Sequence, residues 1–213
     1  MDRPEPPLAD LISAARDAAG DRLARQLALL VEVDRLKGVL RRTLLVDRSR
    51  RENSAEHSWH IALAAVLLAE HAAERVDVAR VVNMLLVHDL VEIDAGDTYV
   101  YDAEATLDKA AREERAAERL FGLLPSDQAA EVRALWDEFE RRDTPEARFA
   151  AAVDRMQPIV HNVLTDGHTW RQHGVARAQV EAVNRHIADG APALWETVRR
   201  LLDRAVEKGH LGR

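Results

Sequence analysis

Two imidazoles and two carboxylates stand in apolar stretches, where helices could bring them to one point. The dipeptide His88-Asp89 follows an almost entirely apolar run, His57 stands at the start of another, and Asp154 lies within a third. Burying an ionised carboxylate there costs several kcal/mol unless a cation or a hydrogen-bonded partner compensates. Nitrogen and oxygen donors of this kind suit one divalent ion that keeps positions for water and substrate. The sequence therefore predicts His57, His88, Asp89 and Asp154 as metal ligands.

The dipeptide alone has a simpler interpretation. His88 and Asp89 could cap a helix end and pair with arginines, and short motifs of this kind carry a real false-positive risk. In the metal hypothesis, adjacent helical residues diverge by about 100°, so this pair would hold the ion from two sides. His57 and Asp154 would then have to come from other helices, and the ion would connect three helices.

Glu92 stands three residues after Asp89 and four after His88. On a helix this spacing places it on the ligand face, one turn further along. A carboxylate there could act as general base on a water molecule. The alternative is that Glu92 hydrogen-bonds a ligand imidazole and orients it.

The composition predicts an all-α, single-domain helical bundle. Of the 213 residues 47% are hydrophobic, mostly alanine, leucine and valine, with 4% aromatic residues, 9 glycines and 7 prolines. This balance is typical of helices rather than of short strands and turns. We expect residues 1–7 to be disordered and residues 8–213 to form the domain.

Periodicity and capping residues divide the chain further. They predict helices over about 8–19, 21–42, 54–75, 104–123, 126–142, 175–188 and 191–208, another helix capped by Asp77 and one that Thr144 and Pro145 open. The arginine-rich stretch 43–53 is expected to be a functional loop, and 94–102 a second irregular segment.

Several classes of protein are disfavoured. Cysteine is absent, which excludes disulfides and thiolate metal sites and fits a reducing cytoplasm. The formal net charge of -7 disfavours extended nucleic-acid binding. The longest apolar run, residues 61–69, is far shorter than the roughly 20 residues that span a bilayer, so we expect no membrane segment.

The order of these residues, with their neighbours, resembles the HD-domain metal-dependent phosphohydrolases. The likeness is closest to the branch of bacterial 5'-deoxynucleotidases and their eukaryotic relatives, and it covers about residues 41–162. Its supporting stretches are residues 50–59, 87–92 with 94–97 behind them, and 135–140 before 144–147.

The resemblance implies an HD-type bundle and roles for three further residues. Glu92 would polarise the attacking water, Asp97 would act in catalysis and contact the sugar hydroxyl near the ion, and Arg42 would bind the substrate phosphate. Asp97 follows Gly96 and could instead be a turn former. Arg42 could belong to a solvated arginine-rich surface. Thr43 stands where close bacterial nucleotidases have an aromatic residue, so base and sugar selectivity stay open.

One divalent ion is expected, because no histidine occurs between Leu90 and Val153, where two-metal HD proteins insert further ligands. Manganese, cobalt or a similar metal would suit the donors. His60, one turn from His57, could support the centre. His161 and the remaining histidines are expected to be core, cap or surface groups.

The functional prediction is hydrolysis of a phosphomonoester, with phosphate released from (deoxy)nucleoside 5'-monophosphates by water that the metal and Glu92 activate. Three alternatives stay open. The substrate could be a nucleoside triphosphate or a phosphometabolite that is not a nucleotide, or the chain could be a non-catalytic binding module stabilised by metal. The resemblance also implies a homodimer.

Overall fold

The computed structural model describes residues 8–102 and 107–213, which are almost entirely helical. The helices are α1 Leu8–Ala19, α2 Asp21–Val33, α3 Ser54–Leu68, α4 Val78–Val87, α5 Glu92–Ala95, α6 Lys109–Phe121, α7 Ser126–Arg141, α8 Pro145–Leu164, α9 His168–Gln172, α10 Arg177–Asn184, α11 Ile187–Gly190 and α12 Pro192–Glu207. The strands β1 Leu40–Leu44 and β2 Arg51–Asn53 form an antiparallel pair, the only sheet within the described ranges. The all-α prediction is confirmed.

Helix α8 lies at the centre of the bundle, packed against α3, α4, α7 and α11. Ala147, Ala150, Ala151 and Ala152 are fully buried in it. Such small side chains let neighbouring helices approach closely. The helix thereby brings Asp154 towards the start of α3 and the end of α4.

The prediction of a helix over 21–42 is wrong beyond Val33. A 3-10 turn, Asp34–Gly38, follows α2, and the chain then enters β1, where Leu40 pairs with Asn53 and Leu44 with Arg51. Leu36 and Leu40 have helical spacing, but Gly38 weakens a helix there and the partner strand supplies the backbone hydrogen bonds. The expected loop 43–53 is therefore largely a hairpin.

Helix α3 begins one position away from the expected cap. The side chain of Asn53, not of Ser54, accepts from the backbone N–H of Glu56. The Glu56 side chain in turn accepts from the backbone N–H of Asn53, which completes a capping box. The helix ends at Leu68, earlier than the expected Arg75, in a short 3-10 turn over Ala69–His71.

Two other predicted caps are confirmed. Asp77 accepts from the backbone N–H groups of Ala79 and Arg80 at the start of α4. Thr144 Oγ1 accepts from Ala147 N at the start of α8.

Other boundaries shift. The predicted helix over 104–123 spans Lys109–Phe121, and the part of that prediction on residues 104–106 lies outside the described residues. The predicted helix over 175–188 is divided between α10 and α11.

Two apolar cores stabilise the described residues. The larger contains Ile61, Met84 and Phe149, and the smaller contains Leu90 and Trp136. None of the described helices is both long enough and apolar enough to cross a bilayer. One domain over 8–213 stays a prediction, and the expectation for residues 1–7 lies outside the described residues.

Candidate metal centre

His57 lies fully buried in the first turns of α3. The Nε2 of Gln157 donates to Glu52 Oε1 at 2.7 Å, so the Gln157 amide oxygen turns to His57, whose Nδ1 donates to it at 3.2 Å. The other ring nitrogen, Nε2, then carries a lone pair and lies 2.9 Å from Asp154 Oδ1. A lone pair against a carboxylate is repulsive, so either a proton or a metal cation has to lie between them.

His88 follows the last residue of α4 and presents a second such nitrogen. Its Nδ1 donates to the carbonyl oxygen of Leu85 at 2.9 Å. Its Nε2 lies 3.0 Å from Asp89 Oδ1 and 3.7 Å from Asp154 Oδ1, yet it is buried without a hydrogen bond among the described residues. Leaving a buried polar atom unpaired is costly, and a cation would relieve the cost.

The close approach of imidazoles and carboxylates also shifts the pKa values of His88, Asp89 and Asp154. Burial alone would lower the pKa of His88, but the charges of Asp89 and Asp154 hold it well above its ordinary value, so a proton takes the place on the ring that a bound ion would occupy. Burial opposes ionisation of Asp89 too, yet His88 and Arg41 lower the pKa of that carboxyl to about 2. Despite burial, contacts with His57 and His88 hold the pKa of Asp154 well below its ordinary value. The centre therefore favours positive charge.

The four predicted ligands thus come together. His57, His88 and Asp154 each offer one ligand atom within 4.8 Å of the others, and Asp89 adjoins them through His88. The donor atoms are nitrogens and oxygens, and the Nε2 atoms of both imidazoles face carboxylates. Such a set fits a divalent ion. Their role as ligands stays a prediction.

Arg41 contacts this centre, although the sequence predicted no role for it there. It is buried, its Nη1 donates to Asp89 Oδ2 at 2.8 Å, and its Nε has no hydrogen-bond partner among the described residues. Arg42, the predicted phosphate ligand, is exposed and lines a small neighbouring cavity instead. Successive residues of a strand point to opposite faces, so Arg41 and Arg42 lie on different sides of β1. A prediction of this strand would have indicated the difference between them.

Glu92 begins α5, close behind the ligand pair. Ser54 Oγ donates to Glu92 Oε2 at 2.6 Å. Burial and the charge of Asp89 raise the pKa of Glu92 to about 8, although Arg41 opposes this. A group that titrates near neutrality is suited to general acid–base chemistry.

A cavity of about 260 Å³ opens beside the centre. Its wall includes His88, Asp89, Glu92, Asp97 and Asp154, together with the cations Arg41, Lys109, Arg142 and Arg155. Burial raises the pKa of Asp97, which also lines a cavity of about 60 Å³ beside it with Arg42, Tyr99, Tyr101 and Trp170. A charged compartment therefore adjoins an aromatic one, with Asp97 at their junction.

The fold and this site define a helical protein with a buried histidine–aspartate centre. The family model described as HD domain matches residues 33–195. The chain belongs to the HD-domain family.

Relatives agree with this assignment. A crystal structure from Magnetospirillum magnetotacticum MS-1, described as a predicted metal-dependent phosphohydrolase, is 56% identical with a TM-score of 0.86, covering 90% of this chain and 96% of that one. The human protein named 5'-deoxynucleotidase HDDC2 is 32% identical over 136 residues, which are 62% of this chain and 65% of that protein. The mouse protein of that name is 29% identical over 151 residues, covering 70% and 72%. The chain thus spans just under two thirds of the human relative.

Proposed function

We propose that the chain is a metal-dependent phosphomonoester hydrolase that releases phosphate from (deoxy)nucleoside 5'-monophosphates. The observation that carries the proposal is the meeting of His57, His88 and Asp154 ligand atoms within 4.8 Å, next to Glu92 in a cavity that both carboxylates and cations line. The names of the human and bacterial relatives support it.

His57, His88, Asp89 and Asp154 would hold one divalent ion, manganese, cobalt or a similar metal. When bound, such an ion supplies a Lewis acid that stabilises charge on phosphate oxygens and makes a nearby water more acidic.

The protein groups act on the water and on the substrate. The charge of a bound ion would lower the pKa of Glu92 and leave it ionised, so that it takes a proton from the attacking water while the Ser54 hydroxyl fixes one of its oxygens. The water oxygen forms a bond to phosphorus as the bond to the 5' ester oxygen breaks in line, the nucleoside oxygen takes a proton from solvent, and Glu92 releases its proton to solvent. Arg41 and the predicted phosphate ligand Arg42 supply positive charge, and Asp97 contacts the sugar hydroxyl.

One observation favours a second substrate class. Arg142 and Arg155 line the larger cavity in addition to Arg41, as does Lys109, which pairs with Glu113, and the further arginines could balance charge on a nucleoside triphosphate. This alternative keeps the metal centre, Glu92 and the attack on the phosphorus next to the 5' oxygen, and changes the group released from phosphate to triphosphate.

A substrate screen tests the proposal. Deoxy- and ribonucleoside mono- and triphosphates, with phosphosugars as controls, are incubated with the metal-stripped protein and manganese, cobalt or zinc, and products are identified by phosphorus NMR. Free phosphate from monophosphates supports the proposal. Release of triphosphate or pyrophosphate transfers the function to the second class. Turnover of phosphosugars alone points to a non-nucleotide phosphometabolite, and nucleotide binding without hydrolysis under every metal indicates a binding module.

The homodimer belongs to the same proposal. Trp59, Leu63, Val66 and Leu67 form an exposed apolar face on α3, with Trp59 64% and Leu67 66% exposed. A face of this kind is suited to pairing with a second copy. Light scattering after size exclusion should give twice the chain mass, and Leu67→Glu should reduce it to one chain. A wild-type monomer would remove the dimer from the proposal.

We also place the chain in the cytoplasm, with a nucleotide rather than nucleic acid as its partner. The cysteine-free sequence and the net charge of -7 support both statements. Cell fractionation with an antibody against the chain tests the first, and a filter-binding assay with DNA and RNA tests the second.

A further inference from the structure

A second group of metal-type donors lies on the other side of the His57 ring. Glu52 on β2, His60 on α3 and His161 on α8 each offer one ligand atom within 4.8 Å of the others. Together with Gln157 they form what we name the rear cluster. Glu52 and His161 are buried, at 1% and 4% exposure, and His60 is half-buried.

The protonation of this cluster leaves lone pairs directed inwards. His161 Nδ1 donates to the carbonyl oxygen of Leu44 at 3.1 Å, so its Nε2 is the free acceptor. Burial lowers the pKa of His161, which keeps the ring neutral. Glu52 contributes Oε1 from the opposite side.

All three donors surround one nitrogen atom. Gln157 Nε2 lies 2.7 Å from Glu52 Oε1, 3.1 Å from His161 Nε2 and 3.3 Å from His60 Nδ1. An amide has two protons, so it can satisfy two of these acceptors but not a third lone pair. A cation at this position would satisfy all three.

Glu52 supplies an independent indication. Its second oxygen, Oε2, is buried without a hydrogen bond among the described residues, although it lies 3.9 Å from the charged Arg41 Nε and 3.6 Å from His57 Nδ1. If Gln157 moved away, this oxygen could accept the proton of His57 in its place. One carboxylate would then serve a cation through Oε1 and orient a ligand of the metal centre through Oε2, as carboxylates behind metal-bound histidines do.

We propose that Glu52, His60 and His161 form a second divalent-metal site, separate from the metal centre, which a zinc-like ion enters by displacing the Gln157 amide. Two imidazole nitrogens and one carboxylate oxygen form a donor set that zinc accepts with a fourth position left open. Ligand atoms about 2.1 Å from a tetrahedral ion lie about 3.4 Å apart, so the cluster contracts as the ion binds.

Metal counting tests the site without any use of activity. Untagged protein, stripped with chelator and dialysed against ZnCl2, is analysed by mass spectrometry for zinc per chain, and a crystal soaked in ZnCl2 is examined at the zinc absorption edge. Wild type should hold two ions, one of them between the three donors. Asp154→Asn should lose the ion of the metal centre and keep this one. His60→Gln and His161→Gln should each lose this one and keep the other.

Exposed His71 provides the matched control, and His71→Gln should still bind two ions. Circular dichroism melting of each variant identifies loss of folding, and His60→Gln, at a half-buried position, keeps the test valid if His161→Gln unfolds. A single zinc in wild type, two zincs in His60→Gln, or no anomalous peak between the donors would each overturn the proposal and leave a hydrogen-bonded cluster around Gln157. Because only zinc is counted, these outcomes are independent of the phosphatase screen.

Discussion

The two nitrogens of the His57 ring face regions that differ in charge and in space. Nε2 faces the metal centre, where Asp89 and Asp154 are both held ionised and a cavity of about 260 Å³ lies alongside. Nδ1 faces the rear cluster, where Glu52 is the carboxylate and the Gln157 amide fills the space between the donors. Similar donor atoms therefore lie in two different environments. The metal centre has two ionised carboxylates beside an open cavity, whereas the rear cluster has one carboxylate and its space is filled by the Gln157 amide.

This difference separates chemistry from binding. A divalent ion gains more from two ionised carboxylates than from one, and a substrate can reach it only where a cavity exists. We therefore expect the metal centre to bind its ion more tightly and to support turnover, and the rear cluster to bind an ion more weakly without turnover.

The largest effect should follow from Asp154→Ala. This variant removes the carboxylate between His57 and His88, so the metal centre should lose its ion and phosphate release should fall by at least about 10³-fold. Metal content by mass spectrometry and phosphate release measure the two losses. The exposed control Asp203→Ala should keep both. Full activity in Asp154→Ala would remove Asp154 from the ligand set.

Glu92→Gln should separate turnover from metal binding within the same region. Because Glu92 acts on water and not as a ligand, the variant should keep its ion while kcat falls by about 10²- to 10⁴-fold. The matched control is Glu138→Gln, a buried carboxylate that instead pairs with Arg80 and Thr144. Parent-rate turnover in Glu92→Gln would contradict the role as general base, and loss of the ion would point to a supporting contact instead.

The two regions also differ in how far the sequence predicts them. His88, Asp89, Glu92 and Asp154 stand in apolar runs where a charge requires an explanation, and their spacing gives the helical face. Asp77 and Thr144 predicted their helix starts for a similar reason, because capping is local chemistry.

The rear cluster had no such signal. His161 and Gln157 are one helical turn apart on α8. Glu52 belongs to a hairpin that was not predicted, because its first strand has apolar residues at helical spacing. Leu36 and Leu40 fit both a helix and the observed turn and strand, and the choice is decided by the pairing of Leu40 with Asn53 and of Leu44 with Arg51, which helical periodicity does not report. The contact of Arg41 with Asp89 likewise depends on β1, whereas the role of Arg42 in binding phosphate stays a prediction.

Gln157→Ala should affect the two regions in opposite directions. The metal centre loses the acceptor that fixes His57, so its ion should bind about 10–100-fold more weakly. The rear cluster no longer needs to displace an amide bonded to a carboxylate, which costs about 1.5–3 kcal/mol, so zinc should bind there about tenfold more tightly or better. Zinc titrations of Asp154→Asn and His60→Gln, each with and without Gln157→Ala, measure the sites separately. Exposed Gln172→Ala should change the zinc affinity of neither site. If Gln157→Ala changed both affinities in the same direction, the prediction of opposite effects would be contradicted.

The smallest effect concerns His186, which lines the open cavity but belongs to neither donor group. Burial, with help from Arg142 and Arg155, lowers its pKa to about 4. Between that value and the ordinary pKa of about 6.5 the unfolded chain binds a proton that the folded chain excludes. The contribution of His186 to the free energy of unfolding is therefore complete above pH 6.5 and is lost as the pH falls towards 4.

His186→Asn should weaken this dependence, because the variant takes up fewer protons on unfolding, by up to one. Urea unfolding of metal-free protein between pH 4 and 7 measures the slope, with His71→Asn as the exposed control. A variant with the parent slope would show that the cavity wall is as accessible to protons as the surface. The prediction assumes that the cavity wall disfavours a proton on His186, which has no carboxylate partner there among the described residues. A parent slope would therefore also weaken the contrast between the two sides of His57.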